Sequence, residues 1–155
     1  MNAASRKKIS VALTNQTSIA DIDQEALKKL TQTVCRRYRV PAVQVRIVLV
    51  EGKTIRRLGK QFLGSDKTTD VISFDLTDPY EPHRSFEIVI NADLAQRQGR
   101  KHGHSTEAEL ALYLTHGLLH QLGLDDSDPR QAQNMHKTED RILQKAGYGQ
   151  VYYQQ

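Results

Sequence analysis

Residues 116–126 read His-Gly-Leu-Leu-His-Gln-Leu-Gly-Leu-Asp-Asp. His116 and His120 are four positions apart, and on a helix that spacing stacks two side chains on one face with roughly 6 Å of axial rise between them. Two imidazoles so placed reach one cation. Gly123 predicts the helix end, because glycine accepts the left-handed backbone that a helix C-terminus often needs. The chain then turns back and brings Asp126 into register. Two histidines from a helix and a third ligand from the next turn make a three-ligand site for a divalent ion, with a fourth position for water. The expected ligands are His116, His120 and Asp126, holding one divalent ion per chain, with zinc the first choice. Asp125 competes for the third position. The spacing favours Asp126 and leaves Asp125 to orient a histidine or cap the turn.

The residue after the first histidine narrows the chemistry. Zinc peptidases of the H-E-x-x-H type place a glutamate there as general base. Here it is Gly117, so the cage is kept and the proteolytic base is missing. A glycine at this place is expected to leave open space and exposed backbone beside the metal.

The surrounding pattern says how those ligands are held. Ile9–Leu13 predicts a strand, and Asp21 or Asp23 caps a helix running to about Arg39, before Pro41. Val43–Val50 alternates as a strand with one buried face, and Lys53–Phe62 has helical spacing. Gly64–Lys67 reads as a loop, Val71–Phe74 as a strand, Pro79–Ser85 as an exposed hairpin connection, and Phe86–Ile90 as the next strand. Asp93–Lys101 reads as a short helix ending at Gly99 or Gly103. Thr106-x-x-Glu109 has the form of a capping box opening the helix Glu107–Leu122, apolar nearly all round and so central. Asp128 caps a last helix begun by Pro129, with Met135, Ile142 and Leu143 inward, and the tail from Tyr148 is expected to fray. The result is an α+β fold: a small mixed β-sheet packed on a buried, metal-carrying helix with further helices around it, one domain over residues 1–155.

Composition excludes some classes. The 38% hydrophobic and 26% charged content is that of an ordinary soluble chain. No apolar stretch is long enough to span a bilayer, and residues 1–8 lack an apolar signal core, so a cytoplasmic location is expected. A single cysteine, Cys35, forbids an intrachain disulfide and reads as a small core residue. The net charge of +4 favours an acidic partner such as nucleic acid. Its distribution gives candidate RNA contacts at Arg57, Lys60 and Lys67, and at Arg97, Arg100 and Lys101. Clusters of this kind are more often solvated helix faces.

The block His116-Gly117-Leu118-Leu119-His120-Gln121-Leu122-Gly123-Leu124-Asp125-Asp126 resembles the H-G-x-L-H-x-x-G-x-D-H motif of the YbeY family, bacterial endoribonucleases that mature ribosomal RNA. Thr69-Asp70-Val71-Ile72-Ser73-Phe74 resembles the family's T-[DN]-V-L-S-F strand, and His104-Ser105 with Glu109-Leu110 resembles its H-S-x-x-x-E-L block. Phe86–Ile90 fits the family's G-D-I-x-I strand less well. The resemblance implies metal-dependent, single-strand-specific RNA cleavage in ribosomal RNA maturation and ribosome quality control, notably at the 3' end of the small-subunit RNA. It implies ribosomal RNA, the small subunit and assembly proteins as partners, and it places Ser73 beside the metal. Two departures stand out. The third ligand is Asp126 instead of histidine, which softens the Lewis acidity of the ion and gives a harder cation more weight. Where the family pattern L-N-x-x-[YF]-R ends in an arginine linked to activity, this chain has Leu58-Gly59-Lys60-Gln61-Phe62-Leu63. Lys60, Arg57 or Lys67 are the residues that can replace that cation.

Two other readings compete. The chain can be a ribosome-associated maturation factor with a structural metal, which the missing arginine favours, or a zinc peptidase, which the missing glutamate disfavours. No general base is assigned. Glu109 reads first as a capping residue, and His102, His104 and His136 as loop, surface or supporting histidines.

Overall fold

The computed structural model describes residues 8–149 and 151. The expectation about the N-terminal segment therefore falls mostly outside the described residues. Four strands form one mixed sheet: β1 (Ile9–Asn15), β2 (Val43–Val50), β3 (Val71–Asp75) and β4 (Arg84–Asn91). Their order is β1-β2-β4-β3, with β1, β2 and β4 parallel and β3 antiparallel on the β4 edge. Five helices accompany them: α1 (Gln24–Arg37), α2 (Gly52–Leu63), α3 (Ala92–His102), α4 (Thr106–Gln121) and α5 (Pro129–Lys145).

The two faces of the sheet have separate cores. Val43, Val45, Ile47 and Leu49 of β2 and Phe86, Ile88 and Ile90 of β4 point into the larger one, with α1, α3, α4 and α5. On the other face Val48, Val50, Ile72 and Val89 meet Ile55 of α2. The expected half-buried strand is thus only half right. Gln44 and Arg46 are exposed, but the second half of β2 is buried on both faces, because α2 covers it as crossover helices cover parallel strands.

Capping follows the side chains. The Asp23 carboxylate accepts from Ala26 N, Asn91 from Leu94 N, and Asp128 from Gln131 N. Helix α1 stops at Arg37, short of the expected Arg39, which takes a left-handed φ of 56°. The expected capping box at Thr106 is not formed. Ser105 is the N-cap and accepts from Ala108 N at 3.0 Å, while Glu109 is turned inward at 4% exposure. Helix α4 is the centre of the domain: Leu110, Leu114, Leu118 and Leu119 are fully buried, each stabilising by about 1.5–3 kcal/mol. The tail does not fray at its start, since Tyr148 packs on the main core and Val151 lies in it at 1% exposure. Residues 150 and 152–155 lie outside the described set. Among the described residues, no helix is long and apolar enough to cross a membrane.

Candidate metal centre

The face of α4 that carries Glu109, Tyr113, His116 and His120 repeats every three or four residues. The last two project together at the C-terminal end. Their rings meet edge to face at 4.6 Å, with the two Nε2 atoms 3.1 Å apart. Leu122 and Gly123, the latter at φ 100°, end the helix, and the returning chain sets Asp126 against both rings. Its carboxylate oxygens lie 3.5 Å from His116 Nε2 and 3.7 Å from His120 Nε2. Ligands about 2.0–2.2 Å from a tetrahedral centre stand about 3.3–3.6 Å apart, so the three donors come close to the spacing that one small ion needs. They form a group able to hold a metal. Asp125 takes the other role foreseen for it: its carboxylate accepts from the backbone N–H groups of Asp126 and Ser127 and holds the turn.

Behind the ligands stands a residue missed by the sequence reading. Glu139 of α5 is 1% exposed, and its Oε1 lies 3.4 Å from His116 Nδ1. The signal was present: Met135, Glu139, Ile142 and Leu143 lie on one helical face, and an acid among core residues asks for a partner. Burial opposes the charged form of His116, but Glu139, Asp70 and Asp126 outweigh it and hold its pKa above the usual value. Arg84 was missed as well. Its guanidinium lies over the Phe86 ring at 4.6 Å and donates to the Gln121 carbonyl, opposite the negative end of α4.

Gly117 does not open the space beside the candidate ligands that the sequence led us to expect. A Cβ there would stand 3.0 Å from Ile88 Cγ2 and 3.0 Å from Val71 Cγ2. The glycine faces the sheet and lets α4 approach it, so a side chain at this position would point away from the ligands.

The other candidate residues are scattered. Ser73 reaches α4, accepting from Gln121 Nε2 at 2.9 Å. Arg57 and Lys60 are exposed on α2, Lys67 lies in the loop after it, and Arg97, Arg100 and Lys101 are exposed on α3. No pocket among those described brings the two basic groups together. Arg56 pairs with Asp66 at 3.5 Å. Leu63 is 60% exposed beside Phe62, which packs edge-on against Phe74. His102, bonded to Gln98, shares a cavity of about 420 Å³ with Asp70, Glu109 and Tyr113. Burial raises the pKa of Glu109 against the opposing hydrogen bond from Tyr113.

Fold and site define a class: a small α+β domain whose buried central helix and following turn offer two imidazoles and a carboxylate to one cation. Comparison with known proteins gives the family. The chain belongs to the YbeY family, since a family profile described as "Endoribonuclease YbeY" matches residues 7–147. A relative of that description from Myxococcus xanthus is 38% identical over 127 residues, covering 77% of this chain and 43% of the relative. One from Frankia casuarinae is 31% identical over 147 residues, covering 87% of this chain and 73% of the relative. One from Lysinibacillus sphaericus is 31% identical over 153 residues, covering 91% and 98%. The chain thus spans less than half of the first relative and nearly all of the last. The solution structure of a structural-genomics target from Thermotoga maritima shares the fold, with a TM-score of 0.59 and 22% identity over 90% of this chain and 89% of that one.

Proposed function

We propose that this protein is a metal-dependent endoribonuclease that acts on single-stranded ribosomal RNA during maturation and quality control of the small ribosomal subunit, in the cytoplasm. The observation that carries the metal reading is the convergence of His116, His120 and Asp126 on one point. Family membership carries the RNA reading. Two neutral imidazoles and one carboxylate suit zinc. A divalent ion there supplies Lewis acidity and activates water near neutral pH.

The chain's own residues do the rest. Buried α4 fixes the histidines, and the Asp125-braced turn fixes Asp126. Gln121 and Ser73 join the end of α4 to β3, so that strand forms one wall of the site. The exposed cations of α2 and α3 are the candidates to hold the RNA backbone, which makes binding salt-dependent.

The test is cleavage of a ribosomal RNA precursor fragment by zinc-loaded protein beside His120→Ala purified identically. Cleavage lost in the variant supports the proposal. Cleavage equal in both points to a contaminating nuclease and removes it. A second reading, a maturation factor with a structural metal, is favoured by Leu63, which puts an exposed apolar side chain where the family has its arginine. RNA binding without cleavage by the zinc-loaded protein would select it. A peptidase is disfavoured, because position 117 faces the sheet and no base stands there.

A further inference from the structure

We propose that Glu139 is a positioning residue for the metal centre: its carboxylate accepts the Nδ1–H of His116 and so holds that ring with Nε2 toward the ion. The inference rests on the metal reading of the site and not on the RNA reading. Glu139 comes from α5, beyond the ligand turn, and sits on the apolar face that docks on α4 with Met135, Ile142 and Leu143. An apolar residue would fill this place at no electrostatic cost, whereas a buried carboxylate is unfavourable without a donor. Among the described residues no lysine or arginine side chain pairs with its carboxylate, and the ion pair it does make is with His116 Nδ1 at 3.4 Å.

The two nitrogens of His116 therefore have separate neighbours. Nδ1 faces Glu139, while Nε2 faces His120 and Asp126. An imidazole binds a metal through only one nitrogen at a time, and the partner of the other nitrogen decides which one is free. A carboxylate on Nδ1 selects the tautomer with its lone pair on Nε2 and makes that nitrogen more basic. Glu139 is not itself a ligand, because it lies on the Nδ1 side, away from the point where the three donors meet. The arrangement also ties α5 to the metal, although α5 contributes no ligand.

The test uses the full chain with zinc as probe, titrated against a chromophoric chelator, for wild type, Glu139→Gln and Glu139→Leu. Gln keeps an acceptor oxygen without the charge, and Leu suits the apolar face. The expected order of affinity is wild type, then Gln, then Leu, with Leu weaker by about 10–100-fold. In ¹⁵N-histidine spectra of the zinc-loaded proteins the Nδ1–H resonance of His116 should be slow to exchange in wild type, shifted in Gln and lost in Leu. If Leu fails to fold, the Gln variant carries the comparison. Equal zinc affinity with an unchanged Nδ1–H resonance would overturn the role of Glu139. Absence of zinc binding in wild type would instead overturn the metal reading beneath it.

Discussion

Replacing Gly117 by alanine separates the two possible reasons for a glycine next to a metal ligand. An Ala in the middle of a helix is favoured over Gly by about 1 kcal/mol. Against this, the new methyl would stand 3.0 Å from Ile88 Cγ2 and 3.0 Å from Val71 Cγ2, and overpacking of this kind costs about 1–3 kcal/mol. Neither neighbour can step aside easily: Ile88 is fully buried and both are β-branched on the sheet. The difference is a net destabilisation of about 1 kcal/mol, or a fall in Tm of about 2–4 °C for a domain of this size. Zinc affinity should not change, because the added methyl points to β3 and β4. Thermal melts and a chelator competition on the same preparations give both numbers. A rise in Tm together with weaker zinc binding would refute the reasoning and put position 117 on the metal side of α4.

Cys35 is buried, and burial raises its thiol pKa to about 11 against the opposing charge of Arg84; labelling by a thiol reagent at neutral pH should therefore follow the rate of unfolding, and immediate labelling of the native protein would contradict this. Val151→Ala should destabilise by about 2 kcal/mol in urea titration, whereas a frayed tail would give no change. Burial raises the pKa of Glu109 above the ordinary carboxylate range, so the folded state holds its proton more tightly than the unfolded chain, and stability falls as pH rises from the ordinary value through the raised one. Glu109→Gln should then gain on wild type as pH rises through that window, and a constant difference between their urea midpoints would count against a raised pKa. Asp126→His should strengthen binding of a single-stranded RNA at low salt, because a site loaded with a divalent ion gains one positive charge; weaker binding with the metal retained would show that Asp126 does not face the RNA.

The legible parts of this chain were those in which chemistry and local geometry coincide. His116, His120, Gly123 and Asp126 are set by helical rise and by one left-handed glycine, so their spacing in sequence was enough to place them together. The β2 alternation gave the strand but not the burial of Val48 and Val50, because α2 comes from further along the chain to cover them. Gly117 was misread for a similar reason: the close approach of α4 to Ile88 and Val71 depends on tertiary packing, and a helical period does not show which face meets a sheet. Ser105 and Thr106 are both capable caps, and burial of Glu109 decided between them. Val151 shows no local period at all; its burial follows from the path of the chain after α5.

Exposure across the site gives it a direction. The side chain of Glu139 is 2% exposed and that of His116 19%, while those of His120 and Asp126 are 32% and 38%. The closed side thus belongs to α5 and the open side, where solvent reaches His120 and Asp126, to the ligand turn. That is also the side on which the chain carries the Asp126 carboxylate, and a carboxylate repels phosphate. The guanidinium set against the C-terminal end of α4 is that of Arg84, which donates to the Gln121 carbonyl, whereas the candidate RNA contacts are exposed on α2, in the loop after it and on α3. On the proposed RNA reading these exposed cations attract the backbone through solvent, an attraction screened over about 8 Å at physiological ionic strength. On that reading the chain alone holds the strand loosely at this centre, and its binding falls steeply with added salt.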